Sequence, residues 1–334
     1  MQKHNLDYDR VREELDELLP QPVWATNKSV AVILPCYNEG AAIEKVVNDF
    51  RKALPSARIY VYDNNSTDNT RQAAEAAGAI VRTETLRGKG NVVRRMFADI
   101  EADIYVMADG DGTYDSTAAG KLIDKLVSEN LDMVVGTRLG GGEEAYRRGH
   151  QYGNQLFNRI VTHLFGEGFT DIFSGYRILS RRFAKSFPSA SQGFEIETEL
   201  SVHALDLRIA SAEIDVPYGA RMEGTESKLN TYRDGARILW TIFRLYKETQ
   251  PLGFFGASAI ALGFTAFGLS LPLAITYLQT GLVPQLPTAI LCMGLMQLSF
   301  LSAVCGIILN SISHGRRELK RMRYLEMKAV AEQS

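Results

Sequence analysis

Between Gln250 and Ser313 the chain carries no Asp, Glu, Lys or Arg, and charge returns at once on both sides, at Lys247-Glu248 and at Arg316-Arg317. Such a run is a membrane segment. A hydrocarbon core about 30 Å thick takes roughly 20 apolar residues as helix, so the stretch has room for two crossings. Thr280-Gly281-Leu282-Val283-Pro284-Gln285-Leu286-Pro287 supplies turn residues near its middle and predicts spans at 252–278 and 288–310 within a membrane unit of 251–313. Arg233, Arg237, Arg244 and Lys247 precede the first span; Arg316, Arg317, Lys320, Arg321 and Arg323 follow the second; the turn is uncharged. By the positive-inside rule the preceding domain, a basic tail over 314–334 and both termini are expected in the cytoplasm.

The remainder suits one sizeable water-facing domain. A formal net charge of −2 lacks the whole-chain basic footprint of a nucleic-acid binder. Cys36, Cys292 and Cys305 are too few and too scattered for a disulfide framework or a metal site, and fit a reducing compartment. Met1–Trp24 is rich in Asp and Glu without an apolar core, so it does not read as a signal peptide. Within an N-terminal arm of 1–28, Val11, Leu15, Leu18 and Leu19 share one stripe and predict a short amphipathic helix.

From 29 to 227, strand-length apolar runs alternate with helical patterns. Strands are expected at Val30–Leu34, Arg58–Tyr62, Ala79–Arg82, Ile104–Ala108 and Met133–Gly136, with helices near 41–53, 68–77, 89–100 and 117–128. This order predicts an α/β fold, a mainly parallel sheet with helices on both faces. In such sheets ligands bind outside the carboxyl ends of the strands, so the residues after each strand are the candidates.

Pro35-Cys36-Tyr37-Asn38-Glu39-Gly40 follows the first strand and Asp63-Asn64-Asn65-Ser66-Thr67-Asp68 the second. Ser66, Thr67 and Asp68 read first as an N-cap, whereas Asp63 at the strand end is placed to accept a hydrogen bond from a base or ribose. Arg87-Gly88-Lys89-Gly90-Asn91 opens a helix. Its glycines would let backbone approach a diphosphate, and a helix N-terminus with Arg and Lys favours anions. The strongest signal is Asp109-Gly110-Asp111. Two carboxylates one residue apart in a glycine-rich turn aim oxygens at one spot, and Mg2+ takes one or two such carboxylates while water and phosphate fill its other positions.

Cations for a phosphate beside the bilayer are Arg138 after a strand, and Arg147-Arg148 before a helix with Tyr152, Leu156, Ile160 and Leu164 at helical spacing, expected on the membrane surface. Lys228 is a further candidate. It precedes a stripe of Leu229, Tyr232, Ala236, Leu239, Trp240, Phe243 and Tyr246, which predicts an interfacial helix within 228–250 or packing against the domain. Phe194-Glu195-Ile196-Glu197-Thr198-Glu199-Leu200 reads as a helix face, with Glu197 a weak site candidate.

Together these motifs resemble glycosyltransferase family 2, which has the nucleotide-diphospho-sugar transferase (GT-A) fold. The likeness continues through Asp171-Ile172-Phe173-Ser174-Gly175-Tyr176-Arg177 and Ser227-Lys228-Leu229. With a two-helix membrane hairpin it narrows to the polyprenyl-phosphate glycosyltransferases. The resemblance implies that Pro35, Tyr37, Glu39, Asp63, Asn65, Lys89, Asp109, Gly110 and Asp111 bind the nucleotide sugar, with Mg2+ or Mn2+ on Asp109 and Asp111. It marks Asp171 and Asp111 as catalytic, Asp171 as base or acceptor holder. For the acceptor phosphate the candidates are Arg138, Arg147, Arg148, Arg177 and Lys228, with Arg177 alternatively the ion-pair partner of Asp171.

The implied reaction is inverting transfer of one sugar to a polyprenyl phosphate at the cytoplasmic membrane face. Two departures from the family pattern, Asn64 where a second acid is usual and Gly112-Thr113-Tyr114-Asp115 in place of a longer polar-proline segment, favour a UDP-sugar over GDP-mannose. The alternatives are a GDP-mannose-dependent mannose synthase and a non-catalytic membrane scaffold. Relatives imply a homo-oligomer, for which Gly256, Ala257, Gly263 and Gly268 permit close helix packing. No nucleic-acid partner is expected.

Overall fold

Alternation along the first strand sets the architecture. In β1 (Val30–Cys36), Val30, Val32, Leu34 and Cys36 enter one apolar core while Ala31 and Ile33 enter another. A strand buried on both faces sits inside a sheet covered on both sides. The computed structural model describes residues 28–139, 148–166, 168–188, 191–193, 195–219, 221 and 231–330, with side chains except at 139, 148–156 and 231–234. The expected N-terminal helix, Arg147 and Lys228 lie outside the described residues.

The strands that follow are β2 (Arg58–Asp63), β3 (Ile80–Thr83), β4 (Ile104–Met107), β5 (Met133–Leu139), β6 (Arg177–Ser180) and β7 (Ser211–Pro217). Their order is β3-β2-β1-β4-β6-β5-β7, parallel throughout except for β6, which runs antiparallel to both β4 and β5. Sequence reading finds β1 to β5 and misses the last two. β6 is four residues long and opens on an arginine, and β7 (SAEIDVP) pairs only with β5 and is half polar, so neither presents a continuous apolar run.

Connecting helices divide between the two faces. Phe50 of α1 (Ile43–Ala53), Ala74 of α2 (Thr70–Ala76) and, beyond α3 (Lys89–Asp99), Leu122 and Leu126 of α4 (Ala118–Ser128) fill the first core. The second takes Val93 and Met96 of α3. It also takes Val161 of α5 (Arg148–Phe165), Phe183 of α6 (Arg181–Ser186), Leu200 of α7 (Ile196–Leu207) and Ile242 of α8 (Thr231–Thr249). Ile160 and Leu164, expected on the membrane surface, pack partly buried against this second core, because the same stripe holds Val161 inside the domain. α8 carries two apolar faces. Ile238, Ile242 and Leu245 dock on the domain, whereas Leu239, Trp240 and Phe243 point outward, with Trp240 stacked on Phe243 at 5.6 Å.

The last helices, α9 (Pro251–Thr280) and α10 (Leu286–Leu325), are each long and apolar enough to cross a membrane. Only 11% and 6% of their most apolar windows are buried, which separates them from the core helix of a water-soluble domain. They form an antiparallel hairpin: Ser299 Oγ donates to Ala259 O at 2.7 Å, and Ser302 Oγ to Phe255 O at 2.9 Å. Gly306 admits Phe255, with 3.1 Å left for an added Cβ.

The basic segment after the second apolar run behaves differently from a tail. α10 continues unbroken to Leu325 and lays Arg317 and Lys320 against Asp206 of α7. Beyond it Ala329 and Val330 are buried, Val330 in the first core.

Candidate active site

Because β1, β2, β4, β5 and β7 all run the same way, their carboxyl ends share one edge of the sheet, and the antiparallel β6 begins there. That edge collects the turns after Cys36, Asp63 and Met107, Arg138 near the end of β5, and the 171–176 segment that enters β6.

The acidic turn is fitted closely to its neighbours. A Cβ at Gly110 would lie 2.5 Å from Cys36 Sγ, so glycine lets the turn sit against β1. Asp111 is buried; its Oδ1 accepts from Thr113 N and Oγ1 (3.2 and 2.7 Å) and its Oδ2 from Arg221 Nε at 2.8 Å. Asp109 is one-third exposed and pairs with Lys89, which pairs in turn with Glu197. Beneath the turn, Tyr114 Oη accepts from Gly175 N (2.8 Å), and its ring packs on Tyr176 and Tyr218, both at 5.2 Å.

Charge and burial compete at these groups. Burial acts to lower the Lys89 pKa, but Asp109 and Glu197 outweigh it and hold the ammonium above its ordinary value. Burial raises Glu197, Lys89 opposes that shift and Asp109 adds to it. For Arg221, burial is again the largest influence and lowers the pKa, while the charge and hydrogen bond of Asp111 carry the net shift upward.

The glycines around Lys89 serve another purpose than the expected diphosphate cradle. Gly88 has φ +120°, and a Cβ there would lie 2.1 Å from Gln192 O; a Cβ at Gly90 would lie 2.2 Å from Ser191 O. Gly90 N donates to Gln192 O at 3.1 Å and Gly88 N to Asn64 Oδ1 at 2.7 Å. The start of α3 is thus packed against the chain's own backbone, and Lys89, 9% exposed, turns inward to the acids.

Asp63 Oδ1 accepts from Ser66 N at 3.2 Å. Asn65, expected at the nucleotide, is committed to the loop: it sits at φ +65° and its amide donates to Glu84 O and Thr85 O (3.2 and 3.0 Å). Asp68 braces two loops, accepting from Thr70 N (3.0 Å) and Gly40 N (2.9 Å); the N-cap itself is Asn69, whose side chain makes no cap bond. Ser66 Oγ accepts from Asn38 N at 2.9 Å, and Thr70 Oγ1 from Glu39 N at 2.8 Å. Pro35 and Glu39 are half-buried, and Tyr37 is exposed at the mouth.

On the other side of the edge, Arg138 grips Asp171 with a two-pronged contact, Nε to Oδ2 at 2.8 Å and Nη2 to Oδ1 at 2.7 Å. Its guanidinium also lies 5.6 Å from the Tyr218 ring. The expectation for Arg177 is corrected. It is fully buried and donates to Ser174 O, Ile172 O and Ser201 Oγ (2.9, 2.8 and 2.9 Å), so it staples the 171–176 turn and reaches neither a phosphate nor the Asp171 carboxylate. Arg148 opens α5, with its side chain outside the described ones.

Sequence reading missed Arg221, Tyr114 and Tyr218, and ranked Glu197 low. Glu197 stood as one of three acids on a helix face, and nothing local separates it from Glu195 or Glu199.

The donor set of this turn fits Mg2+ or Mn2+. Each carboxylate already faces a cation of the chain, Lys89 or Arg221, and among the described residues no group of three Asp, Glu, His or Cys closes around a metal. An open, two-carboxylate site leaves room for water and phosphate oxygens.

Comparison with known proteins agrees with this geometry. Residues 31–187 match the profile described as glycosyl transferase family 2. Glycosyltransferase AglJ of Haloferax volcanii is 34% identical over 306 residues, covering 90% of this chain and 99% of that protein. The chain belongs to glycosyltransferase family 2. A second relative in the same organism, named dolichyl-phosphate hexose transferase, is 27% identical over 67% of this chain and 97% of its own length. Glucosyl-3-phosphoglycerate synthase from Mycobacterium tuberculosis superposes with a TM-score of 0.55 at 24% identity, over 66% of this chain and 81% of that one. The family's GT-A architecture is the fold described above.

Proposed function

We propose that the protein transfers a single hexose-type sugar, with inversion, from a nucleotide sugar to a polyprenyl phosphate at the cytoplasmic face of a membrane, with a UDP-sugar as the favoured donor. One observation carries this reading: a single sheet edge brings together a metal-type acidic turn and an arginine held by the Asp171 carboxylate, in a domain that leads into two membrane-length helices. The relative named dolichyl-phosphate hexose transferase supports a lipid phosphate as acceptor.

In the proposed reaction an acceptor phosphate oxygen bonds to the anomeric carbon as the bond from that carbon to the nucleotide diphosphate breaks. A divalent ion on Asp109 and Asp111 would stabilise the negative charge of the departing diphosphate. A phosphate monoester, with a second pKa near 6, is already largely ionised at neutral pH, so the site has little proton to remove. Asp171 therefore acts chiefly by orienting Arg138, whose planar fork suits phosphate as it suits a carboxylate. The exposed Leu239, Trp240 and Phe243 face of α8, which ends one residue short of α9, would lie at headgroup level.

The test incubates detergent-purified protein with Mn2+, undecaprenyl phosphate and a panel of UDP- and GDP-sugars, following nucleotide release and lipid mass together. The expected product is lipid phosphate plus one sugar from a UDP-sugar, lost in Asp111→Ala. Long polymer would point to a processive synthase. Nucleotide binding without turnover on any donor would favour a non-catalytic scaffold.

A further inference from the structure

Lys89 stands between two carboxylates, and only one of them faces the cleft. Side-chain exposure falls from 33% at Asp109 to 9% at Lys89 and 5% at Glu197, so the three form a file running from the open edge into the domain. One carboxylate already neutralises one ammonium. The second, buried carboxylate also acts on the fully buried Arg177 guanidinium and favours its charged form. That accounts for the charge of Glu197 but gives no reason for its direct contact with Lys89.

A second demand on Asp109 does give one. When Asp109 turns its oxygens to a divalent cation, Lys89 loses a partner inside a nearly closed site, and an unpaired buried ammonium is strongly disfavoured. Glu197 is the partner that remains. The backbone holds it in place independently of the ion pairs: Gly90 N and Asn91 N both donate to Gln192 O, and Ser191 N donates to Glu199 Oε2 at 2.7 Å. The helix start that carries Lys89 is thereby tied to the helix that carries Glu197.

We propose that Glu197 is a positioning residue of the donor site, holding Lys89 while Asp109 turns to a divalent cation, so that metal binds at Asp109 and Asp111 without stranding a buried charge. This rests on reading those two acids as the metal-binding pair under the proposed function.

The test titrates Mn2+ alone into the full-length detergent-solubilised protein and reads free Mn2+ by electron paramagnetic resonance, with the thermal midpoint of each variant recorded beside it. Glu197→Gln is expected to weaken Mn2+ binding by about 10–100-fold, the range seen when a partner of a metal ligand is removed. Lys89 would then have Asp109 as its one carboxylate and compete with the metal for it. Glu197→Asp keeps the charge and restores part of the affinity. The double variant Lys89→Met/Glu197→Gln recovers most of the loss, since no ammonium remains to compete; a merely structural role leaves the double variant as weak as the single one or weaker. Wild-type affinity in Glu197→Gln, or no recovery in the double variant, overturns the proposal while the metal reading stands, provided Asp111→Asn loses Mn2+. A wild-type protein that binds Mn2+ no better than Asp111→Asn overturns both.

Discussion

Tyr324, at the end of the second long helix, donates its hydroxyl to the buried carboxylate of Asp132 at the foot of β5, although 192 positions separate them. Asp132 also receives Arg182 Nη2 at 2.7 Å and Ser180 Oγ at 2.6 Å, and the Arg182 guanidinium lies 4.6 Å from the Tyr324 ring. With Arg317 and Lys320 on Asp206, these contacts make α10 a strut that joins the membrane-length hairpin to the α/β domain.

Removing the hydroxyl by Tyr324→Phe leaves Asp132 its arginine and serine, so a loss of about 1.5–3 kcal/mol is expected, the range for a hydrogen bond to a charged group. Asp132→Ala leaves Arg182 without its carboxylate, and a loss of about 3–5 kcal/mol is expected. Denaturant unfolding in detergent micelles gives both values; a Tyr324→Phe variant as stable as the wild type would show that the strut does not depend on this carboxylate.

Arg177→Ala is expected to act on folding rather than on acceptor binding. It strips donors from two buried carbonyls and a serine hydroxyl, a loss of about 3 kcal/mol or more. The measurement is the yield of folded protein and its unfolding midpoint, beside the acceptor KM of whatever folds. A well-folded variant with raised acceptor KM would contradict the burial of this side chain.

Arg138→Lys should show the opposite pattern. A lysine keeps the charge but cannot reproduce the two-pronged contact, so acceptor KM is expected to rise about tenfold or more with stability little changed. Steady-state kinetics with donor and acceptor varied separately will separate this from a donor-side effect.

His203 gives an acid-sensitive term. Its ring is buried against Phe183 and Phe187, neither ring nitrogen has a hydrogen-bond partner among the described residues, and its pKa is pushed down from 6.5 to about 3, by burial first and then by Lys320. Between those values the unfolded chain holds the proton and the folded chain does not. Stability is therefore lost as pH falls below 6.5, by roughly 1.4 kcal/mol per pH unit at the steepest, and is independent of this group above it. His203→Leu should flatten that limb in unfolding midpoints measured from pH 4 to 7; an unchanged slope would assign the acid sensitivity elsewhere.

Gly90→Ala should disturb the site through backbone alone. The added methyl meets Ser191 O at 2.2 Å and Ser191 C at 2.7 Å, contacts that no side-chain rotation relieves. A destabilisation of about 1–3 kcal/mol is expected, in the range of overpacked cores. Mn2+ affinity should fall with it, because the segment that gives way leads to Glu197.

Local sequence determined what local patterns encode. A short apolar run placed β1, a charge-free run marked the membrane-length hairpin, and paired acids after an apolar strand marked Asp109 and Asp111, since each depends on neighbours within a few positions. Tertiary structure decided what lies across the chain. Only the antiparallel β6 brings Asp171 to Arg138 and seals Arg177 inside, and only packing of residues 191–192 on α3 shows that Gly88 and Gly90 admit backbone. The pairing of Arg221 with Asp111, and of Tyr324 with Asp132, leaves no periodic trace, because the partners of a charge or hydroxyl are fixed by which elements become neighbours and not by spacing along the chain.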